Sequence, residues 1–290
     1  MAPTRAGTTP AILLVVVGLA CQEVGAALAV LLFPEVGPLG MVMLRLLFSA
    51  VLLMLIARPV LRGHSRDAWG AVAGFGLVLA SMNGLFYLAL ERLPLGVTVT
   101  IEVLGPLVLS IVASRRVSAW LWALLALAGV VALAGGGWDS LDPIGVLFAL
   151  GAAASWAFYI LASARVGRQF PRLDGLALAM SVGALIALPF GILSAGSALL
   201  RPELLALGAA VAVLSSTIPY ALELIALRRL PAAAFAILLS LAPATAALAG
   251  WLLLGQDLVW LEVVGIALVI TASIGAVRTS NTAAGSAPLA

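Results

Sequence analysis

Apolar runs of about 20 residues alternate along the chain with short breaks carrying Pro, Gly or Arg. A helix needs about 20 residues to cross the hydrocarbon core of a bilayer. Ten runs meet that length: 11–33, 37–57, 69–90, 95–113, 119–136, 143–163, 174–194, 204–225, 232–254 and 260–277. A helix satisfies its own backbone polar groups, which is what lipid demands of a spanning segment. The pattern predicts an all-α integral membrane protein with ten transmembrane helices. No segment between the runs is long enough for a soluble domain. The small, polar end, residues 278–290, is predicted to be a disordered cytoplasmic tail.

Composition sharpens this. The chain is 64% hydrophobic and 9% charged, whereas ordinary soluble domains are about 25% charged. So few polar groups cannot cover a globule of this size in water. The formal net charge of +3 comes with no basic groove or tract, so nucleic acid is not an expected partner. The single cysteine, Cys21, excludes an internal disulfide. His64 sits alone in a charged loop, and no metal site is expected. The stretch "AILLVVVGLAC" after Arg5 has the look of a signal peptide. Gly18 stands where a lipoprotein box wants a larger aliphatic residue, and the rest of the chain is serially apolar. The first helix is therefore expected to be retained.

The arginines orient the spans. Arg58, Arg62 and Arg66, then Arg115 and Arg116, then Arg165, Arg168 and Arg172, then Arg228 and Arg229 fall in alternate loops. With Arg5 and Arg278 they put 12 of the 15 basic residues on one side. Basic loops prefer the cytoplasm, so both termini are predicted to be cytoplasmic, in an inner membrane.

Two stretches nearly repeat: "ALERLP" at 89–94 and "ALRRLP" at 226–231. Pro94 and Pro106 match Pro231 and Pro243 at one offset, and "VVVGLACQEVGAAL" aligns with "LFALGAAASWAFYI", Gly18 on Gly151. Units of five helices would place the second copy upside down. Glu91 would then face outside and Arg228 inside, as the charge rule requires. The expected organisation is two inverted five-helix repeats, residues 10–137 and 142–277. Inverted repeats are characteristic of carriers that alternate access to a site near the midplane.

Charges inside the hydrocarbon are costly and mark functional sites by default. Glu23, Arg45, Glu102 and Glu223 lie inside spans. Glu23 and Arg45 stand on adjacent helices. They read either as an amino-acid site, carboxylate for ammonium and guanidinium for carboxylate, or as a structural ion pair. Glu102 lies one turn before Gly105 and Pro106, where a helix breaks, and is placed to meet substrate or a proton. Glu223, after Pro219 and Tyr220, reads as a coupling carboxylate or as a side chain snorkelling to the cytoplasm. Asn83 reads as a ligand for a substrate hydroxyl or as glue between helices. Tyr87, Trp156 and Tyr159 are candidates for lining a cavity. Phosphate loops with a Lys, HExxH and CxxC are missing, so neither enzyme nor cofactor chemistry is expected. Efflux of another small metabolite or drug, and a non-transporting scaffold or sensor, remain the alternatives to amino-acid transport.

The stretches "LFPEVGPLGMVMLRL" at 32–46, "MNGLFYLALERLPLGVTVTIEVLGPL" at 82–107, "GAAASWAFYIL" at 151–161 and "LSSTIPYALELIALRRLP" at 214–231 carry a resemblance. Through them the chain resembles the drug/metabolite transporter superfamily, EamA family, and within it the bacterial threonine and homoserine exporters. The resemblance implies export of small neutral amino acids, driven by protons. It implies substrate enclosed by helices 1–4 and 6–9, with helices 5 and 10 peripheral or at a homodimer contact. Carried over by position, it points to Glu23, Arg45, Asn83, Tyr87, Glu102, Trp156, Tyr159, Tyr220 and Glu223.

Overall fold

The computed structural model describes the backbone of residues 5–114, 117–133, 141–227 and 232–284. Every described element is helical: α1 (Arg5–Ala57), α2 (Arg66–Leu90), α3 (Leu95–Glu102), α4 (Leu104–Ser114), α5 (Val117–Leu133), α6 (Pro143–Gly167), α7 (Asp174–Ala195), α8 (Pro202–Ala212), α9 (Ile218–Leu227), α10 (Ala232–Leu239), α11 (Ala242–Leu254) and α12 (Trp260–Ala284). A 3₁₀ turn, Gly196–Leu200, follows α7, and a π-helical turn, Val213–Thr217, joins α8 to α9.

The breaks follow from the sequence. α1 is two helices joined at Gly37, whose φ of 70° and ψ of 164° lie outside the helical region. A residue with a Cβ resists that positive φ, and Pro34 and Pro38 on either side remove helix donors. The turn is fastened to α7, where the Ser194 hydroxyl donates to the carbonyl of Val36 at 3.2 Å. α3 gives way to α4 at Val103, three residues before Pro106, and α10 gives way to α11 at Ser240–Leu241, just before Pro243. A proline cannot donate to the carbonyl four residues back and clashes with it. α2 and α6 start on side-chain caps, Ser65 accepting from the Ala68 N–H at 3.1 Å and Asp142 from the Ile144 N–H at 2.8 Å.

Among the described residues, six stretches are long and apolar enough to cross a membrane, the first being the 48-residue Pro10–Ala57. Leu95–Leu109, Trp120–Leu133 and Pro202–Thr217 are shorter apolar helices. The expected runs at 95–113, 204–225 and 232–254 are thus helical but interrupted, by the bends before Pro106, Pro219 and Pro243. α12 continues to Ala284, so residues 278–284 extend the helix where the composition predicted disorder. Propagating a formed helix adds one bond per residue fixed, whereas starting one is expensive. Residues 285–290, Arg115, Arg116, Arg228 and Arg229 lie outside the described residues.

The protein is a multi-pass membrane protein with an apolar outside as well as an apolar core. Leu13, Leu121, Leu185 and Leu193 point outward and exposed, while Leu44, Leu46, Tyr87 and Leu95 are fully buried. Both arms of α1 run through the middle, against α7, α8, α9 and α11. α2 packs on α6 and α7, α3 on α6 and α11, and α5 on α12. Small residues allow the closest approaches. A Cβ on Gly105 would run into the backbone carbonyl of Ala153 on α6, and one on Gly25 into the Ser215 side chain.

Candidate transport site

The site is built around Arg45, on the second arm of α1. It is buried, 8% exposed, and lies inside the helix assembly rather than at a lipid-facing surface. Nε donates to the Ser216 hydroxyl at 3.2 Å, one terminal nitrogen to the Tyr87 hydroxyl at 3.3 Å, and the other to the Ser215 carbonyl at 3.0 Å. The guanidinium also lies over the Tyr87 ring, 5.6 Å from its centroid, within cation–π range.

The Ser215 carbonyl is available for a local reason. In α-helical register it would accept from residue 219, and Pro219 has no N–H. The chain responds with the π-helical turn, a feature common at functional sites. It brings the Ser215 carbonyl and the Ser216 hydroxyl to one cation. Tyr87 is held from its other sides by Phe33, ring centroids 5.7 Å apart, and by Phe86 at 5.8 Å.

Two buried or part-buried carboxyl groups lie within range of the charge of Arg45 without bonding it. The charge of Arg45 acts on both Glu23 and Glu102, and that of Glu102 acts on Glu23. Glu23 is 2% exposed, and its Oε2 has no hydrogen-bond partner among the described residues. Glu102, at the end of α3 beside the Val103 break, is part-exposed. Glu23 and Arg45 do not form a direct ion pair. The described ion pairs all lie at helix ends: Arg92–Asp142, Arg165–Asp67 and Arg201 with Glu35 and Glu203. Arg45 turns instead toward α2 and the π turn, where a carbonyl and two hydroxyls await it.

The structure thus gathers Arg45 and Tyr87 by contact, and Glu23 and Glu102 by charge. Asn83 is buried one turn before Tyr87, and its amide donates to the Leu79 carbonyl of its own helix at 2.8 Å. Trp156 packs on the same core as Tyr87. Tyr159 goes elsewhere: its ring meets Phe75 at 5.3 Å in a separate cluster of α2, α6 and α7. Tyr220 and Glu223 stand on α9, but their side chains lie outside the described residues. Ser215, Ser216 and Phe33 were not singled out in sequence. The signal for the serine pair is Pro219, four residues after Ser215.

The comparisons with known proteins place the chain among transporters. Residues 143–278 match the model of the EamA-like transporter family. The threonine/homoserine exporter RhtA of Escherichia coli (strain K12) is 38% identical over 270 residues, 92% of this chain and 91% of its own. RhtA of Salmonella typhimurium (strain LT2) has the same identity and coverage. One crystal structure, at 20% identity, superposes with a TM-score of 0.62 over 94% of this chain and 98% of its own, and so shares the fold. A membrane-spanning helical assembly with a buried guanidinium at its centre, and relatives matched over nearly its full length, make this chain a member of the EamA-like transporter family, related to the RhtA-type amino-acid exporters.

Proposed function

We propose that the chain exports small neutral amino acids of the threonine and homoserine kind across the cytoplasmic membrane, in exchange for protons. The observation that carries this reading is the buried Arg45, which donates to the Ser216 and Tyr87 hydroxyls and the Ser215 carbonyl and lies within the electrostatic reach of two carboxyl groups. A zwitterionic substrate needs both signs. Arg45 takes its carboxylate, and the Glu23–Glu102 pair takes its ammonium group or a proton in turn. A drug-like cation would need no arginine in the site. Only groups that interact differently with the two access states can couple proton to substrate, and Glu102 sits at a helix break where exposure changes most easily. The names of the related exporters support threonine and homoserine as substrates.

In this reading ten passes form two inverted repeats, residues 10–137 and 142–277, with both termini cytoplasmic. Several features support it. The α3–α4 break at Val103 and the α10–α11 break at Ser240 precede matched prolines by the same three residues. Gly18 faces Leu222, and its counterpart Gly151 faces Leu85, the residue matched to Leu222 by the same offset as the prolines. The packing of α2 on α6 is mirrored by that of α8 and α9 on α1.

The test is counterflow in proteoliposomes preloaded with threonine, homoserine, lysine or buffer. Labelled threonine should accumulate transiently against threonine and homoserine, and not against lysine. No accumulation with folded protein would remove this substrate class.

A further inference from the structure

A groove runs along the lipid-facing surface between α2 and α6, away from the Arg45 cluster. Its volume is about 470 Å³, and its lining includes Gly74 and Val78 of α2, Phe158 and Leu161 of α6, and Asp67 with Arg165 at one end. Gly70 and Gly74, one turn apart, form part of its floor, and a Cβ built on either meets nothing within 4 Å. The space there is open rather than packed. Phe158 and Leu161 are 61% and 54% exposed, so the wall belongs to the hydrocarbon.

The end at Asp67 and Arg165 is polar. Arg165 bonds Asp67 at 2.6 Å, and the Gln169 amide donates to the other Asp67 oxygen at 3.1 Å. Both partners of the ion pair are more than half exposed. Trp69, in the same first turn of α2 as Asp67, sets its ring edge-on to His64, an aromatic at the level where belts mark the membrane–water boundary. From Asp67 to Val78 the helix rises by about 16 Å. One leaflet contributes about half of a 30 Å hydrocarbon core. The groove therefore extends from headgroup level to about the bilayer midplane, the reach of one acyl chain.

We propose that this groove seats a single phospholipid with a phosphoethanolamine headgroup. Its chain lies over Gly70 and Gly74, its phosphate on Arg165 and its ammonium on Asp67. The headgroup presents the two charges of the Asp67–Arg165 pair in the opposite order, so neither protein charge is left uncompensated. An anionic phosphoglycerol would set its phosphate on Arg165 in the same way but bring no ammonium for the Asp67 carboxylate. A quaternary phosphocholine has no N–H to donate to the Asp67 carboxylate, and charge-assisted N–H bonds are the strong ones. This site does not depend on what the protein transports.

The experiment is native mass spectrometry of full-length protein, delipidated in detergent and titrated with phosphatidylethanolamine, phosphatidylcholine or phosphatidylglycerol of matched chains. Wild type should retain one phosphatidylethanolamine about tenfold better than either of the others, the discrimination expected of one charge-assisted hydrogen bond. Gly74→Leu starts from a Cβ in open space and projects its side chain into the groove, and it should abolish the adduct in protein that elutes as a single folded species. Asp67→Asn should bring phosphatidylethanolamine and phosphatidylcholine to parity. Equal retention of all three lipids by wild type, or an unchanged adduct in Gly74→Leu, would overturn the proposal.

Discussion

Replacing Arg45 by Lys keeps the positive charge and removes the planar fork. Lys has three donors on one nitrogen and no Nε, so the Ser216 contact and the stacking on Tyr87 are lost, while one bond to the Ser215 carbonyl or Tyr87 hydroxyl is retained. Polar contacts between helices in membranes average about 0.6 kcal/mol. Losing two such contacts costs about 1.2 kcal/mol, and the variant should fold. Substrate binding should suffer more. A hydrogen bond to a charged group is worth about 1.5–3 kcal/mol, so losing one arm of a guanidinium–carboxylate grip should raise the half-saturation concentration for threonine roughly 10- to 150-fold. The assay is the initial rate of threonine counterflow against concentration, normalised to reconstituted protein. A half-saturation within about twofold of wild type, in folded Arg45→Lys protein, would refute the assignment, because a bidentate partner cannot be exchanged so cheaply.

Three further perturbations separate local structure from transport. Pro219→Ala supplies the N–H that the Ser215 carbonyl lacks, in competition with Arg45. It should leave protein abundance equal or higher, since an interior proline costs a helix about 3 kcal/mol, yet raise the half-saturation for threonine; counterflow and thermal unfolding on the same sample check both. Gly105→Ala drives a methyl group into the Ala153 carbonyl and should lower the unfolding free energy in mixed micelles by about 1–3 kcal/mol; no loss would mean that α4 and α6 are farther apart. At the far end, the Arg92 guanidinium at 2.8 Å and the Ile144 N–H hold the Asp142 carboxyl below its ordinary value of 3.8. A lowered folded value gives stability that is present above 3.8 and lost as pH falls through the folded value. Amide exchange at the start of α6 should therefore accelerate in wild type as pH drops below that range, after correction for intrinsic exchange, and Asp142→Asn should flatten the effect.

Much of the architecture was legible because lipid makes it so. Long apolar runs with short, arginine-marked loops leave helices as the only economical answer, and "LFPEVGPLG" announced the turn now seen at Gly37. Pro106 announced the break beside Glu102. Where helices bend without leaving the assembly, as at the π turn, run length alone does not show the interruption. The candidate site was legible in part. Charge in the hydrocarbon singled out Arg45, Glu23 and Glu102, and the cost of burying charge is a sequence-level fact. Partner choice was not. Adjacency of spans left Glu23 and Arg45 as either a substrate site or a structural ion pair, and could not show that Arg45 reaches Ser215 and Ser216, 170 and 171 residues away, where Pro219 frees a carbonyl. Tyr159 lies one turn from Trp156 on α6, yet its ring packs on Phe75 while Trp156 packs on the core that holds Tyr87, a difference of neighbours that run length does not reveal.

The measurement that bears most directly on proton-coupled amino-acid export is labelled-threonine uptake into proteoliposomes with an acidic interior. Protons leaving down their gradient should drive threonine above its equilibrium level. A protonophore should abolish that overshoot, and Glu102→Gln should lose it while still exchanging threonine in counterflow. An overshoot of wild-type size in Glu102→Gln, or wild-type uptake indifferent to the pH gradient, would contradict the account.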